Sequence, residues 1–310
     1  MPFGRVPATL LVLCLMTSGL SSCVVRRRAI TRKGSGAAKS PNLLVTNRET
    51  LVNEIAKQYQ AIRDFTATVD MIPALGTAEK SKITEYKDVR AYIVFRKPAD
   101  IRIIGLYPVV RNTAFDMVST GPDFSLYVPS RNRFLTGRNE IIKPSANKLE
   151  NLRPTHFLEA MLVRPVDPNA DKLLLENFTD EDDAFYILHV VRETDARELR
   201  LVRTIWFNRL DLQLARQLVF DEGGNILTDA RSSEWRAYDN VHFPKHIEIN
   251  RPRDEYGVVI DIVKMDINKG VSDDKFVLKQ PPGSTLQVVG QPATAASNPP
   301  AAASSKEARK

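Results

Sequence analysis

Cysteine is nearly absent from this 310-residue sequence, because Cys14 and Cys23 are the only two and both lie near the N-terminus. The rest of the sequence therefore has no thiol for a disulfide framework, a cysteine-based zinc site or a nucleophile. The sequence also has neither a Gly-x-Ser-x-Gly elbow nor a Gly-x4-Gly-Lys phosphate loop. These absences argue against enzymatic activity, and we expect no catalytic residues and no cofactor.

Histidine is scarce as well, with four residues in the sequence. His242 and His246 share strand parity with Glu248, an arrangement that could place three metal ligands on one face of a strand. Pro244 lies between the two histidines, and no further histidine is nearby. Both features favour a solvated strand edge, so we expect no metal site.

Basic residues are in small excess, 44 against 37 acidic ones, and give a net charge of +7. The excess is spread along the chain, so it does not by itself indicate a nucleic-acid partner, and we expect none. It suits an anionic membrane surface equally well. With 43% hydrophobic residues the chain is apolar enough to bury a core.

The N-terminus is typical of an exported bacterial protein. Arg5 precedes an apolar stretch at residues 8–16, which is shorter than the about 20 residues that span a bilayer. The four residues that end this region resemble the bacterial lipobox: Leu20, Ser21, Ser22 and Cys23. The alternative is a signal peptide with a chance cysteine that is cleaved elsewhere.

The lipobox resemblance implies a signal peptide at residues 1–22 and a mature chain that begins at an acylated Cys23. Several acyl chains anchor a protein stably without spanning the membrane. Val24 follows the cysteine where an Asp would mark retention at the inner membrane, so the resemblance implies an outer-membrane location facing the periplasm. The arginines at residues 26–28 could contact anionic lipid or be ordinary linker charges.

Composition divides the remaining chain into three parts. Residues 23–45 contain a Gly/Ala/Ser-rich stretch without periodicity and are predicted to be a flexible tether. Residues 46–285 are predicted to form one folded domain. Residues 286–310 are rich in Pro, Ala and Ser and are predicted to be a disordered tail.

Periodicity predicts a mainly β domain. Leu51, Ile55 and Tyr59 follow helical spacing within residues 46–62, and a second apolar helix begins near Pro154. Between and after these helices, apolar and polar residues alternate in about eleven strands separated by turn residues. We predict a single large curved antiparallel sheet that forms a half-open barrel, with an N-terminal helix and an inserted lid helix.

Several short motifs resemble the LolA/LolB-like family of lipoprotein-sorting proteins. They are Asp-Phe-Thr-Ala at 64–67, Arg-Lys-Pro at 96–98, the run 123–129 before the inserted helix, residues 241–249, and the closing segments 274–278 and 281–283. The resemblance implies a half-open barrel that holds lipid or the acyl chains of lipoproteins beneath a helical lid. The family's carriers have Arg directly before the proline, where this sequence has Lys97.

The resemblance and the strand parity together assign a ligand-binding interior and a lid. The residues predicted to line them are Ile93, Phe95, Ile101, Ile103, Phe115, Met117, Leu126, Phe157, Leu158, Met161 and Leu162. A loop with apolar residues on both sides of a proline is predicted to contact the membrane or a partner: Leu106, Tyr107, Val109 and Val110. Alternatively, Leu106 and Val110 are strand ends packed inside the sheet.

The sequence therefore predicts a non-enzymatic, lipid-anchored protein that binds lipid or lipoprotein acyl chains and serves lipoprotein or lipid sorting. The alternative is an assembly or scaffold lipoprotein whose sheet or tail docks another envelope protein. The two hypotheses differ in the interior. An open apolar cavity favours the carrier, and an interior filled by side chains favours the scaffold.

Overall fold

The computed structural model describes residues 42–77, 82–85, 88–140, 145, 148–180 and 182–289. These residues lie in the unit of the chain that begins at Asn42. The predicted signal peptide, the lipobox with Cys23, and the ends of the predicted tether and tail lie outside the described residues, so lipid attachment stays a prediction. Neither helix of the described part is long and apolar enough to cross a membrane.

Both predicted helices are present. Helix α1, Arg48–Ala61, begins where the Asn47 side chain accepts a hydrogen bond from the amide of Thr50 at 2.9 Å. It buries Leu51 and Ile55, which confirms the predicted apolar face. Helix α2, Pro154–Met161, has a proline in its first turn, where a missing amide hydrogen costs nothing.

Within the described residues, seven strands precede α2. They are β1 Asp64–Thr77, β2 Lys82–Glu85, β3 Val89–Arg96, β4 Asp100–Leu106, β5 Thr113–Thr120, β6 Asp123–Val128 and β7 Arg133–Arg138. Eight strands follow it. They are β8 Asp171–Thr179, β9 Ala184–Glu193, β10 Leu199–Asn208, β11 Leu214–Phe220, β12 Ile226–Tyr238, β13 Val241–Arg251, β14 Tyr256–Ile267 and β15 Thr285–Val289.

All fifteen strands belong to one sheet in the order β15-β7-β6-β5-β4-β3-β1-β14-β13-β12-β11-β10-β9-β8, and β2 pairs with β1 off this path. Two antiparallel meanders are therefore joined by the pairing of β1 with β14. Every pairing is antiparallel except that of β15 with β7, which is parallel. The end strands β15 and β8 are not paired with each other, so the sheet is not closed into a barrel.

The prediction of about eleven strands was too low. Strands β2 and β3 follow each other closely in sequence but are separate, and they pair with different parts of the long β1. The predicted domain end at 285 was also too early, because β15 continues to Val289. A short parallel strand in a Pro- and Gly-rich segment carries no local alternation to reveal it.

The sheet curves around α2. This helix packs against β4 and β5 on one side and against β12 and β13 on the other. Strands β4 and β13 are four positions apart in the sheet. In a flat sheet they would be about 19 Å apart, which is more than the width of one helix, so the sheet has to curve for both strands to contact α2. The inner face of the β4–β13 region forms one apolar core with α2. Leu51 and Ile55 of α1 form a second core with β9, β10 and β11.

Candidate functional site

The predicted ligand-binding residues meet on the inner face of the sheet, in the core that contains α2. Six of them on the strands are at most 2% exposed: Ile93, Phe95, Ile101, Ile103, Met117 and Leu126. The four on or next to α2 are 4–7% exposed: Phe157, Leu158, Met161 and Leu162. Phe115 is partly buried against the same core. The predicted lid helix thus packs on the sheet, and its side chains fill the interior. An open and a filled interior were the two alternatives that followed from the sequence.

Helix α2 depends on its surroundings for stability. It has eight residues, and no side chain caps its N-terminus. Isolated helices shorter than about 12 residues are marginal in water, so tertiary contacts must hold this one in place. Two sets of polar contacts do so, one at its start and one along its buried side.

Arg153 fixes the start of α2. Its side chain is 3% exposed, and its guanidinium lies 4.1 Å from the centre of the Phe124 ring. It donates hydrogen bonds to the carbonyl oxygens of Arg138 at 2.9 Å and Glu150 at 2.5 Å. Burial lowers the pKa of Arg153 to about 10. The helix therefore begins at a cation bound to main-chain oxygens beside β6 and β7.

A buried polar network holds the other side of α2. His156 Nδ1 lies 2.7 Å from the Tyr256 hydroxyl, and Arg251 Nη2 lies 3.1 Å from His156 Nε2. Arg251 also donates to Asp254 Oδ2 at 2.7–2.8 Å and to Thr228 Oγ1 at 2.7 Å. All five residues are at most 6% exposed. The network connects α2 to β12 and to the turn between β13 and β14.

The network determines the protonation state of the imidazole. Arginine can only donate, so Nε2 of His156 must accept, and the ring proton is on Nδ1, from which it is donated to Tyr256. Burial first, and then the charges of Arg251 and Arg153, hold the pKa of His156 well below its usual range. Burial also raises the pKa of Tyr256. Both groups are therefore neutral near pH 7.

The network borders a cavity of about 720 Å³ whose wall is highly charged. Four arginines and five carboxylates line it: Arg164, Arg200, Arg251, Arg253, Glu140, Glu159, Asp221, Glu222 and Asp254. Several of these charges are paired with each other, for example Arg200 with Glu222 at 2.9 Å and Arg253 with Asp221 at 3.1 Å. The balance of charge does not favour an anionic or a cationic ligand.

The predicted membrane or partner loop is exposed. Residues 107–112, which we call the β4–β5 loop, include Tyr107 at 39%, Val109 at 97% and Val110 at 64% exposure. Val109 has a φ of 71°, a left-handed conformation that is unfavourable for a β-branched residue. Leu106 is only half-buried at the end of β4. The apolar side chains at the tip thus contact solvent, while the binding of the membrane or of a partner by this loop stays a prediction.

The start of this hairpin requires a glycine. A Cβ atom on Gly105 would lie 2.2 Å from the ring of Phe115, which covers that position on the neighbouring strand. The register shifts between Gly105 and Leu106, so the ladder is irregular directly before the loop.

Lys97 contacts α1 rather than α2. Its amino group donates to the carbonyl oxygen of Tyr59 and lies 3.9 Å from the centre of the Tyr59 ring. Arg96, one residue earlier, binds Asp100 at 2.8 Å. The two basic side chains of the Arg-Lys-Pro motif therefore bind α1 and Asp100.

The histidines in the region of the suggested metal ligands are engaged otherwise. His246 Nδ1 lies 2.8 Å from Asp261 Oδ1, and its Nε2 lies 3.4 Å from Glu248 Oε1. His242 lines a separate cavity of about 540 Å³ beside α1. The residues that the structure describes contain no group of three or more His, Cys, Asp or Glu arranged for a metal ion.

Known structures resemble this chain at low identity. A DUF1329 family protein from Desulfovibrio piger matches with a TM-score of 0.49 and 17% identity, over 74% of this chain and 96% of its own. A LolA superfamily protein from Nitrosomonas europaea matches with a TM-score of 0.46 and 13% identity, over 73% and 97%. A domain from Vibrio parahaemolyticus named for outer-membrane lipoprotein sorting has a TM-score of 0.46 and 14% identity, over 74% and 97%.

The structures that resemble this chain include a LolA superfamily protein. No family model matches the sequence, and no curated protein matches it either.

The buried network was not predicted from the sequence. His156 lies on the apolar face of the predicted α2, Arg251 ends β13, and Asp254 lies in the turn that follows. A histidine among apolar helix residues and an Arg-x-x-Asp turn are each weak signals. The fold brings them together across 95 residues of sequence.

Proposed function

We propose that this chain is a lipid-anchored outer-membrane protein that faces the periplasm and binds lipid or lipoprotein acyl chains on the face of the sheet that α2 covers. The position of α2 carries the proposal. A short apolar helix without a side-chain cap is seated on a continuous apolar face. Such a helix can leave as a unit and expose a surface that only an apolar ligand would cover.

The exchange is energetically reasonable. Exposing one large apolar side chain costs about 1.5–3 kcal/mol. An acyl chain regains about 0.8 kcal/mol per buried methylene, so about ten methylenes offset the exposure of three or four such residues. The ligand therefore needs at least one long acyl chain.

The β4–β5 loop supplies the contact with the source of that ligand. Tyr107, Val109 and Val110 are exposed at its tip, with Arg111 beside them. This combination suits the interface of an anionic membrane, where apolar tips insert and a cation remains with the headgroups. The loop and the anchor at Cys23 together would hold the protein against the membrane.

The binding test uses Tyr256→Phe, which removes the hydroxyl that bonds His156 and so favours release of α2. We expect lower stability but tighter apparent binding of a fluorescent fatty acid, because more of the protein is binding-competent. Ile205→Val is the control, since Ile205 is fully buried in the second core, which contains no residue of α2. Equal binding by both variants and wild type would contradict the proposal.

The anchor test uses Cys23→Ala. We expect this variant to leave the membrane fraction while the domain remains folded, because the described fold begins at residue 42. A high-salt wash removes molecules held only by basic residues. Retention of the variant after that wash would show that Cys23 is not the anchor.

The filled interior favours a second candidate function. Side chains at most 7% exposed occupy the space between α2 and the sheet, as expected for an assembly or scaffold lipoprotein that binds a partner protein by its outer surface. Native mass spectrometry separates the two. Co-purified lipid that is lost on polar substitution of the β4–β5 loop or of the inner face supports the carrier, and lipid-free protein supports the scaffold.

A further inference from the structure

Strand β8 is an open edge of the sheet. It has nine residues and pairs with β9 on one side, and no strand among the described residues pairs with its other side. At the opposite end of the sheet the edge strand is β15, which pairs only with β7 and has five residues. A long edge strand offers unpaired backbone donors and acceptors to another strand.

One face of β8 is exposed and carries two opposite charges on either side of a leucine. Lys172, Leu174 and Glu176 alternate on its exposed face, and Leu174 is 63% exposed. Leu173 and Leu175 lie on the other face and are half-buried. The central sequence is therefore Lys-Leu-Leu-Leu-Glu, which has opposite charges at equal distances from a leucine.

We propose that β8 pairs antiparallel with β8 of a second copy of this chain, about a two-fold axis through Leu174. In this register Leu174 lies opposite its own copy, and Leu173 lies opposite Leu175. Lys172 of each chain lies opposite Glu176 of the other, so two ion pairs flank the central leucines. Opposed side chains in antiparallel strands interact directly, and opposite charges stabilise the pairing.

The charges select this register. An axis through Leu175 would place Glu176 opposite Leu174, and an axis through Leu173 would place it opposite Ala170. Each alternative loses both ion pairs. Within one chain, Lys172 binds Glu193, and Glu176 lies 2.9 Å from His189. These contacts are on the surface, since the two side chains are 61% and 49% exposed, so both can reach a second copy.

The pairing joins two sheets edge to edge with their inner faces on the same side. A strand of this length buries less than the about 1,200 Å² of a standard stable interface. We therefore expect a weak and reversible dimer. It depends on β8 alone and not on the proposed binding of lipid.

The first test is cysteine cross-linking of the full chain in membranes. Leu174→Cys places two thiols opposite each other, with Cα atoms about 4.5–5.5 Å apart, a separation that a disulfide bridges. We expect a disulfide-linked dimer under mild oxidation. Phe178→Cys is the matched control, because Phe178 is on the same face but the two copies would be about 27 Å apart. Wild type controls for Cys14 and Cys23.

The second test exchanges the charges. In each single variant, Lys172→Glu or Glu176→Lys, residues of like charge lie opposite each other at two places in the dimer. Each variant should therefore weaken dimerisation about tenfold in sedimentation equilibrium. The double variant Lys172→Glu/Glu176→Lys should restore it. Its contacts with Glu193 and His189 remain lost, so rescue must come from the second copy. Circular dichroism should show that all three variants are folded.

Three outcomes would overturn the proposal. The first is equal cross-linking of Phe178→Cys and Leu174→Cys, and the second is failure of the double variant to recover. The third is cross-linking of Leu174→Cys only to a different protein, which would make β8 a docking strand for another partner.

Discussion

Arg251 donates a hydrogen bond from Nη2 to Nε2 of His156, and the two nitrogen atoms are 3.1 Å apart. Protonation of Nε2 would replace this bond with two adjacent cations, near Arg153 as a third. Asp254 Oδ2 lies 3.9 Å from His156 Nδ1 and is already bound to Arg251. The attachment of α2 is therefore sensitive to acid.

The first prediction is a loss of stability below about pH 6.5 that is due to His156. The pKa of the folded imidazole is lowered, whereas the unfolded one titrates near 6.5, so the unfolded state binds the proton first. The free energy of unfolding should then fall by up to about 1.4 kcal/mol per pH unit. Urea titrations at pH 7.5 and 5.5 measure this. His156→Gln should show a smaller difference, and an unchanged difference would exclude His156 as the cause.

The second prediction has the opposite sign and concerns His246. A hydrogen bond to Asp261, and next Glu248, raises the pKa of this imidazole, so its contribution is present below about pH 6.5 and is lost as pH rises through the raised pKa. The pair is partly exposed, so the effect should stay below about 1 kcal/mol. Thermal unfolding of His246→Asn should lack this decline. If wild type and variant change in parallel, the ion pair contributes nothing.

The third prediction concerns the tip of the β4–β5 loop. Val109→Gly removes a β-branched residue from a left-handed conformation, φ 71°, and should raise stability by up to about 1 kcal/mol. Removal of the exposed valine should weaken binding to anionic vesicles up to about tenfold. Arg197→Gly, at φ 60° in the β9–β10 turn, is the control for backbone relief. Unchanged vesicle binding by Val109→Gly would show that Val109 does not contribute to the proposed membrane contact.

The fourth prediction tests β15. A Cβ atom on Gly137 would lie 2.6 Å from the carbonyl oxygen of Val289, so Gly137→Ala should displace β15 from β7. Hydrogen exchange should then show lost amide protection at residues 285–289 and nearly unchanged protection in β9 and β10. Thr285→Ala, which keeps the backbone bonds of β15, is the control. Retained protection in Gly137→Ala would mean that the strand adjusts around the methyl group.

Local patterns were sufficient for much of this fold. The alternation in β3 and β4 places Ile93, Phe95, Ile101 and Ile103 on one buried face, as predicted. The helical spacing of Leu51 and Ile55 gives α1 its buried side, and Asn47, directly before its first residue, caps its N-terminus. These features depend on residues close in sequence, where period and capping chemistry act directly.

Features that depend on distant partners were missed. Strand β15 begins where the amide of Thr285 donates a hydrogen bond to the carbonyl oxygen of Asn132. Nothing in the sequence of β15 itself specifies that it pairs with β7. The His156 network requires β12, β13 and β14 to converge on α2. The sequence also could not decide whether α2 covers a space or fills one, because that depends on side-chain packing across the curved sheet.

The pairing of β1 with β14 has a consequence for how the chain reaches its native state. Asp64 and Asn268 meet at this junction although they are 204 residues apart in sequence. Closure of so large a loop precedes any gain from the contacts it permits, and such non-local topologies fold slowly. Strand β1 gains its second neighbouring strand, β14, only after nearly the whole domain has been synthesised. Until then β1 has an unsatisfied edge that can aggregate, so a chain with this topology benefits from a factor that shields β1 until β14 has been made.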